Sequence, residues 1–281
     1  MKELKITPEL LAGFAGALRN DERSEATVAR YTRAVRQYGE YLAGREAGRE
    51  SAAQWREHML SEGRAPAGVN VAVAAVNAMF GFCGVPEERI KPVRIQRRLF
   101  RSERLELTRG EYGRLLAAAQ GMGRARLALL VEAVCSTGVR VSEVKYLTVE
   151  AARSGRAEIR LKGKVRTILL PGKLCRKLLS WARAQKITSG ELFVTRTGRG
   201  LTRGQIWSEM KSLCAAAEVE PGKVFPHNLR HLFARAFYRV SRDIARLADV
   251  LGHSSIETTR IYLLTTSAEH ERTLERLNLV S

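Results

Sequence analysis

The stretch AEIRLKGKVRTILLPG, residues 157–172, breaks the pattern of the chain around it. Two short runs rich in Ile, Val and Leu flank Gly163, and Pro171-Gly172 closes them, which predicts a β-hairpin turning at Gly163. On both sides of it the period is helical. Upstream, TRGEYGRLLAAA opens with Thr108 and Glu111 at capping-box spacing, and RLALLVEAVCS carries a second helix to Thr137-Gly138. Downstream, KLCRKLLSWARAQ, TRGQIWSEMKSLCAAA, HNLRHLFARAFYRV, RDIARLADVLG and SSIETTRIYLLT all read as helix, the last capped by Ser254 with Glu257. The fold class is therefore mainly α with a small β-sheet, an α+β chain in which one hairpin interrupts a run of helices.

The first hundred residues are helical throughout. In SEATVARYTRAVRQYGEYL, Val28, Tyr31, Val35, Tyr38 and Leu42 recur at alternating three- and four-residue steps behind Ser24 as N-cap. VNVAVAAVNAMFGFCG places Val69, Val73, Val76 and Phe80 on one stripe before Gly84, and the segments 8–18 and 54–60 complete a small bundle. Next comes KPVRIQRRLFRSERLE, with Pro92 and five arginines between Arg94 and Arg104. It reads as a linker, so the chain divides into a helical domain at 1–95, a basic linker at 96–106 and a second domain at 107–281. A length of 281 residues suits two domains.

Charge narrows the partner. The chain carries 48 Lys plus Arg against 29 Asp plus Glu, a net of +19, of which residues 99–281 hold +15 and residues 1–98 only +4. A strong single-sign excess on folded segments suits an anionic polymer, and double-stranded DNA is the leading candidate. An anionic membrane surface would call for a basic amphipathic helix or tail, and no apolar stretch reaches the roughly 18–20 residues that cross a bilayer. The opening MKELKITPELL lacks a signal-peptide core, and Cys83, Cys135, Cys175 and Cys214 match neither a zinc spacing nor a disulfide framework. A cytoplasmic, nucleoid-associated protein is expected.

The chemistry-bearing residues cluster in the second domain. STGVRVSEVKYL sets Arg140 after a glycine turn and Glu143 three residues on, HNLRH spans 227–231, and LGHSSIETTRIY spans 251–262. In this order they resemble the tyrosine recombinase family, of phage-integrase or Xer type. Its signature is an Arg in TG-x-R-x-SE, a Lys on a hairpin turn, H-x-x-R followed by His, LGH, and a Tyr nine residues after that His. Here these are Arg140, Lys162 or Lys164, His227 with Arg230, then His231, His253 and Tyr262. The hairpin is one residue shorter than the family's common G-K-G-x-K-x-R; aligning the Lys-Gly step favours Lys162, with Lys164 as the alternative.

The residue types suit the reaction that the resemblance implies. Rejoining a cut phosphodiester without an energy source requires a covalent intermediate, and a Tyr phenol can hold the phosphate. A phenol of reference pKa about 10 is only about a thousandth ionised near neutrality, so cations or a base must activate it. Arg140 and Arg230 offer permanently charged forks for the non-bridging oxygens of the transition state. His227 and His253 can hydrogen-bond the phosphate or exchange protons. By resemblance the hairpin Lys protonates the departing 5′-oxygen; Glu143 suits orienting Arg140 or a histidine rather than acting as the base, and His231 reads as a core histidine or one that supports the site.

No metal and no cofactor are expected: His227 and His231 stand at a zinc-compatible spacing, but no third ligand accompanies them. The resemblance further implies a two-domain clamp on duplex DNA, its helical core-binding domain SAM-like and its catalytic domain mixed. It also implies a homotetramer holding two duplexes in synapsis. There the C-terminal segment, with Leu274, Leu277 and Val280, docks on a neighbouring protomer. The rival functions are a non-catalytic DNA-binding protein on the same scaffold and a type IB topoisomerase-like enzyme. An intact nucleophile argues against the first, and the small N-terminal bundle and short chain against the second.

Overall fold

Thr7 and Ser24 begin the structure by capping its first two helices. Thr7 accepts from the Leu10 N–H, with Pro8 at the first helical position, and Ser24 accepts from the Thr27 N–H. A computed structural model describes residues 4–95, 106–161, 164–253, 255–262 and 275–276. It divides the chain into two compact units, Met1–Arg97 and Arg98–Ser281.

The first unit is a bundle of α1 (Pro8–Asn20), α2 (Glu25–Leu42), α3 (Arg49–Ser61) and α4 (Pro66–Phe82). The 3.6-residue period of α2 turns Val28, Val35, Tyr38 and Leu42 inward against Val69, Val73, Val76 and Phe80 of α4, all of them buried. Tyr38 packs on Trp55 of α3 at 5.1 Å between ring centroids, and its buried hydroxyl meets Ser51 Oγ at 2.8 Å. Two asparagines one heptad apart on α4 hold the chain that leaves the bundle. Asn77 exchanges two 2.9 Å hydrogen bonds with the backbone of Ile90, and Asn70 does the same with Val93 at 2.7 and 2.9 Å. The expected linker lies, apart from Glu106, outside the described residues.

In the second unit the capping box of Thr108 and Glu111 starts α5 (Arg109–Gly121), as its spacing predicts. Next, α6 (Ala125–Thr137) is apolar around most of its circumference and accordingly buried, with α5, α8 and α10 packed on it. A 3-10 turn (Val141–Tyr146) and α7 (Val149–Ser154) lead to β1 (Arg156–Leu161) and β2 (Lys164–Leu169). The strands pair antiparallel, Arg156 opposite Leu169 and Leu161 opposite Lys164. Ala157, Ile159 and Ile168 face the core. Then follow α8 (Gly172–Ala184), α9 (Arg203–Lys211), α10 (Pro226–Ser241), α11 (Ile244–Leu251) and α12 (Ile256–Arg260).

Three local expectations need correction. The cap of α12 is Ser255, which is extended and accepts from the Glu257 N–H at 3.2 Å; Ser254 lies outside the described residues. The helix read through Ala217 stops at Lys211, because the Ser212 hydroxyl bonds back to the Glu209 carbonyl at 2.7 Å and residues 212–218 wind on as turns. The third is α7, unanticipated because six residues show no period; Thr148 caps it and Gly155, at φ +73°, ends it.

One glycine matters for the site. Gly138 ends α6 in the left-handed region at φ +66°, and a Cβ there would lie 2.7 Å from Phe233 Cε1 of α10. Only glycine lets the chain reverse here with α10 packed directly over it.

Candidate active site

The last turn of α11 gathers the arginines. The final carbonyls of a helix have no partner within it and carry the negative end of its dipole. Here three consecutive ones each accept from a different guanidinium: Val250 from Arg166 Nη2 at 3.1 Å, Leu251 from Arg230 Nη2 at 2.7 Å, and Gly252 from Arg140 Nη2 at 3.3 Å. The next residue is His253. The end of α11, where it runs into LGH, thus converges three cations from three separate parts of the chain.

Arg230 is the deepest of them, 1% exposed. It comes from the first turns of α10, which Pro226 opens and which presents His227 and His231 beside it at helical spacing. Its Nη1 donates to the Gly138 carbonyl at the end of α6, and its Nη2 also donates to His253 Nε2 at 3.0 Å. Burial lowers the Arg230 pKa, an interaction with the Tyr262 hydroxyl opposes that, and the neighbouring Arg140 adds to the lowering.

Arg140 is placed by Glu143. The buried carboxylate accepts the Arg140 backbone N–H and its Nη1, both at 2.9 Å. One guanidinium edge is thereby fixed, while the side chain stays 38% exposed at the mouth of the site. Glu143 also takes Arg166 Nη1 at 3.4 Å. Arg166 of β2 was not anticipated as a site residue; the one signal was its place in the Lys-x-Arg run of the hairpin.

Tyr262 is docked among the histidines. Its ring is buried, parallel to His253 within 17° at 5.6 Å, 4.3 Å from His231 and 5.8 Å from His227. His231 is buried and stands edge-on to His227, which is exposed. His253 Nδ1 meets the hydroxyl of the fully buried Thr259 at 2.9 Å, a partner the sequence did not reveal. Burial, with Arg230, Arg140 and Arg166 close by, pushes the His253 pKa down to about 4. The imidazole is neutral at physiological pH.

The structure therefore brings Arg140, Glu143, His227, Arg230, His231, His253 and Tyr262 into one site. Lys162 lies outside the described residues, and Lys164 is the first residue of β2. Among the described residues no group of three or more His, Cys, Asp and Glu is arranged to hold a metal ion. The arrangement is an anion site: three guanidiniums against one buried carboxylate leave a positive excess beside a buried phenol.

The chain has relatives among known proteins. The phage integrase family matches residues 106–269. The chain is 29% identical over 289 residues to tyrosine recombinase XerA of Pyrococcus furiosus, covering 100% of this chain and 98% of that one. It is 30% identical over 281 residues to tyrosine recombinase XerA of Thermococcus kodakarensis, covering 97% and 96%. A lambda integrase tetramer bound to a Holliday junction shares the fold at a TM-score of 0.70 and 16% identity, over 90% of this chain and 76% of that one. The match across residues 106–269 of the second unit and the two relatives aligned along nearly the whole chain lead to one conclusion: the chain belongs to the phage integrase family of tyrosine recombinases and is by class a site-specific DNA recombinase.

Proposed function

We propose that the chain cuts and rejoins duplex DNA through a 3′-phosphotyrosyl intermediate on Tyr262. The observation that carries this reading is the docking of the Tyr262 ring against His253 and His231, with its hydroxyl beside Arg230. Nucleophile and phosphate-binding cations share one unit of one protomer.

Arg140 and Arg230 take the non-bridging oxygens of the scissile phosphate, whose added negative charge in the transition state they offset. The Tyr262 oxygen bonds to phosphorus, the bond to the 5′-oxygen breaks, and the phenol proton passes to an imidazole of the site. Lys162, or Lys164 in its place, gives the departing 5′-oxygen a proton. Attack of that 5′-hydroxyl, or of one from a second duplex, reverses these steps and releases Tyr262. His253, held neutral, acts as a hydrogen-bonding group rather than a cation, and Glu143 and His231 orient their neighbours.

The partner is double-stranded DNA, which the +15 of residues 99–281 suits. The helical unit at 1–95 serves as core-binding domain, 96–106 as linker and 107–281 as catalytic domain. Synapsis uses four protomers on two duplexes; lambda integrase, which shares the fold, forms a tetramer bound to a Holliday junction. The segment 268–281, of which only 275–276 are described, is assigned to protomer exchange. No described helix is long and apolar enough to cross a membrane, and the site of action is the cytoplasm, on the nucleoid.

The test is a nicked duplex whose short 5′-hydroxyl fragment diffuses away after cleavage, with EDTA present. The parental protein accumulates a denaturant-resistant adduct; Tyr262→Phe binds the duplex and forms none. An undiminished adduct from Tyr262→Phe would overturn the reading.

A further inference from the structure

Arg166 spans three elements. It leaves β2, donates to Glu143 beneath Arg140 at 3.4 Å, and reaches the Val250 carbonyl at the end of α11 at 3.1 Å. Its side chain is 13% exposed and its Nε is buried with no acceptor among the described residues. Leaving a guanidinium nitrogen unpaired in the interior costs free energy, so other contacts must hold the group there. Gly252 makes room for it: a Cβ at that position would stand 2.6 Å from Arg166 Nε, and the backbone there has φ +62°. Burial pushes the Arg166 pKa down to about 10, Glu143 opposes that, and Arg230 and Arg140 add to it; the group stays charged at neutral pH.

Val165 and Leu169 on the outer face of β2 are 67% and 71% exposed, whereas Arg166 shares the inner face with the core residue Ile168. It does not need to touch the phosphate, since Arg140 and Arg230 already provide two forks for it. What its two partners do is fix β2 in place against both the Glu143–Arg140 pair and the turn carrying His253. Lys164 lies two residues before Arg166 in the chain and Lys162 four. We propose that Arg166 is a positioning residue that anchors the hairpin strand to the arginine–histidine centre, so that the hairpin lysine meets the leaving 5′-oxygen.

This rests on the hairpin lysine being the acid, and a change of leaving atom separates the two ideas. In a 5′-bridging phosphorothiolate the scissile bond is P–S. A thiol has a reference pKa of about 8.5, so sulfur departs as thiolate with no proton delivered. Positioned acid catalysis contributes about 10²–10⁴-fold, and a misplaced acid forfeits much of it.

Single-turnover cleavage is measured for full-length Arg166→Met and Arg166→Lys on matched oxygen and sulfur substrates, with duplex affinity and melting midpoint recorded for each. Arg166→Met should be roughly 10²-fold slow on oxygen and within about threefold of parental on sulfur, at unchanged affinity. Arg166→Lys keeps the charge but not the fork and should fall between; should Arg166→Met fail to fold, the same oxygen-to-sulfur comparison on Arg166→Lys decides. Equal slowing on both substrates, or parental rates on both, would overturn the proposal. The Lys162→Ala, Lys164→Ala double variant is the control. If sulfur does not restore its cleavage, the lysine assignment fails; if sulfur restores it but not Arg166→Met, only the Arg166 inference fails.

Discussion

Arg230 donates to Nε2 of His253 at 3.0 Å, and this single contact fixes the state of the imidazole. A guanidinium has no lone pair to offer, so Nε2 must be the acceptor and the proton sits on Nδ1, from which it is donated to Thr259 Oγ1 at 2.9 Å. Arginine on one side and threonine on the other leave the ring one tautomer. The neutral form follows from the same arrangement, because protonating Nε2 would point an N–H at a cation.

His253 should therefore resist protonation far below the usual histidine range. Its pKa, pushed down to about 4 from an ordinary 6.5, means the unfolded chain takes up a proton that the folded one refuses. Stability from this group is full above about pH 6.5 and is lost as pH falls toward 4, because the unfolded state binds more protons across that window. Nitrogen NMR of the imidazoles should show Nδ1–H at pH 5.5 and no titration of His253 between pH 5 and 8. A midpoint near 6.5 would show that the Arg230 contact does not persist in solution.

Gly138 couples folding to the site. Gly138→Ala forces a left-handed φ on a residue with a Cβ and drives that Cβ into Phe233. The expected loss is roughly 2–5 kcal/mol in denaturant unfolding. Cleavage should fall even where the variant remains folded, because the Gly138 carbonyl is one of the groups that hold Arg230. Parental stability and rate in this variant would contradict the packing described.

The two phosphate arginines should separate by their burial. Arg140→Ala and Arg230→Ala should each lose about 10²–10³ in cleavage rate with EDTA present, at little cost in duplex affinity. Arg230→Ala should also lower the melting midpoint, since it strands buried carbonyls at the ends of α6 and α11; Arg140→Ala should lower it less, since Arg140 is 38% exposed and the buried Glu143 keeps Arg166 as a partner. Cleavage by either variant at near the parental rate would remove that arginine from the reaction.

Much of this site can be read in the sequence, and the exceptions have a common cause. Arg140, His227, Arg230, His253 and Tyr262 stand at spacings that name them without a structure, because TG-x-R, H-x-x-R and LGH are local patterns. The fold class follows from one change of period at residues 157–172. Arg166 escaped because its partners lie 23 and 84 residues away, and no window of sequence contains Arg166 together with the Val250 carbonyl. Thr259 escaped for the opposite reason: it sits in plain view six residues after His253, but nothing local distinguishes a buried imidazole partner from a helix-surface threonine. Ser255 displaced Ser254 as a cap although only Ser254 stands at capping-box spacing from Glu257, because either serine can cap a helix and backbone geometry selects between them.

Duplex binding should be dominated by counterion release. If the protein neutralises about 6–10 phosphates, affinity should fall roughly 10³–10⁵-fold between 50 and 200 mM salt. A flat response in a fluorescence titration would mean that the charge of residues 99–281 faces something other than DNA.

Cleavage is to leave a covalent bond on the Tyr262 oxygen, and mapping that bond is the decisive measurement. The adduct formed on a nicked duplex is digested with nuclease and protease, and the peptide carrying a nucleotide phosphate is sequenced by mass spectrometry. The predicted result is a 3′-linked nucleotide on Tyr262, with a free 5′-hydroxyl on the released strand. A nucleotide on any other residue, or a 5′-linked one, would contradict the account.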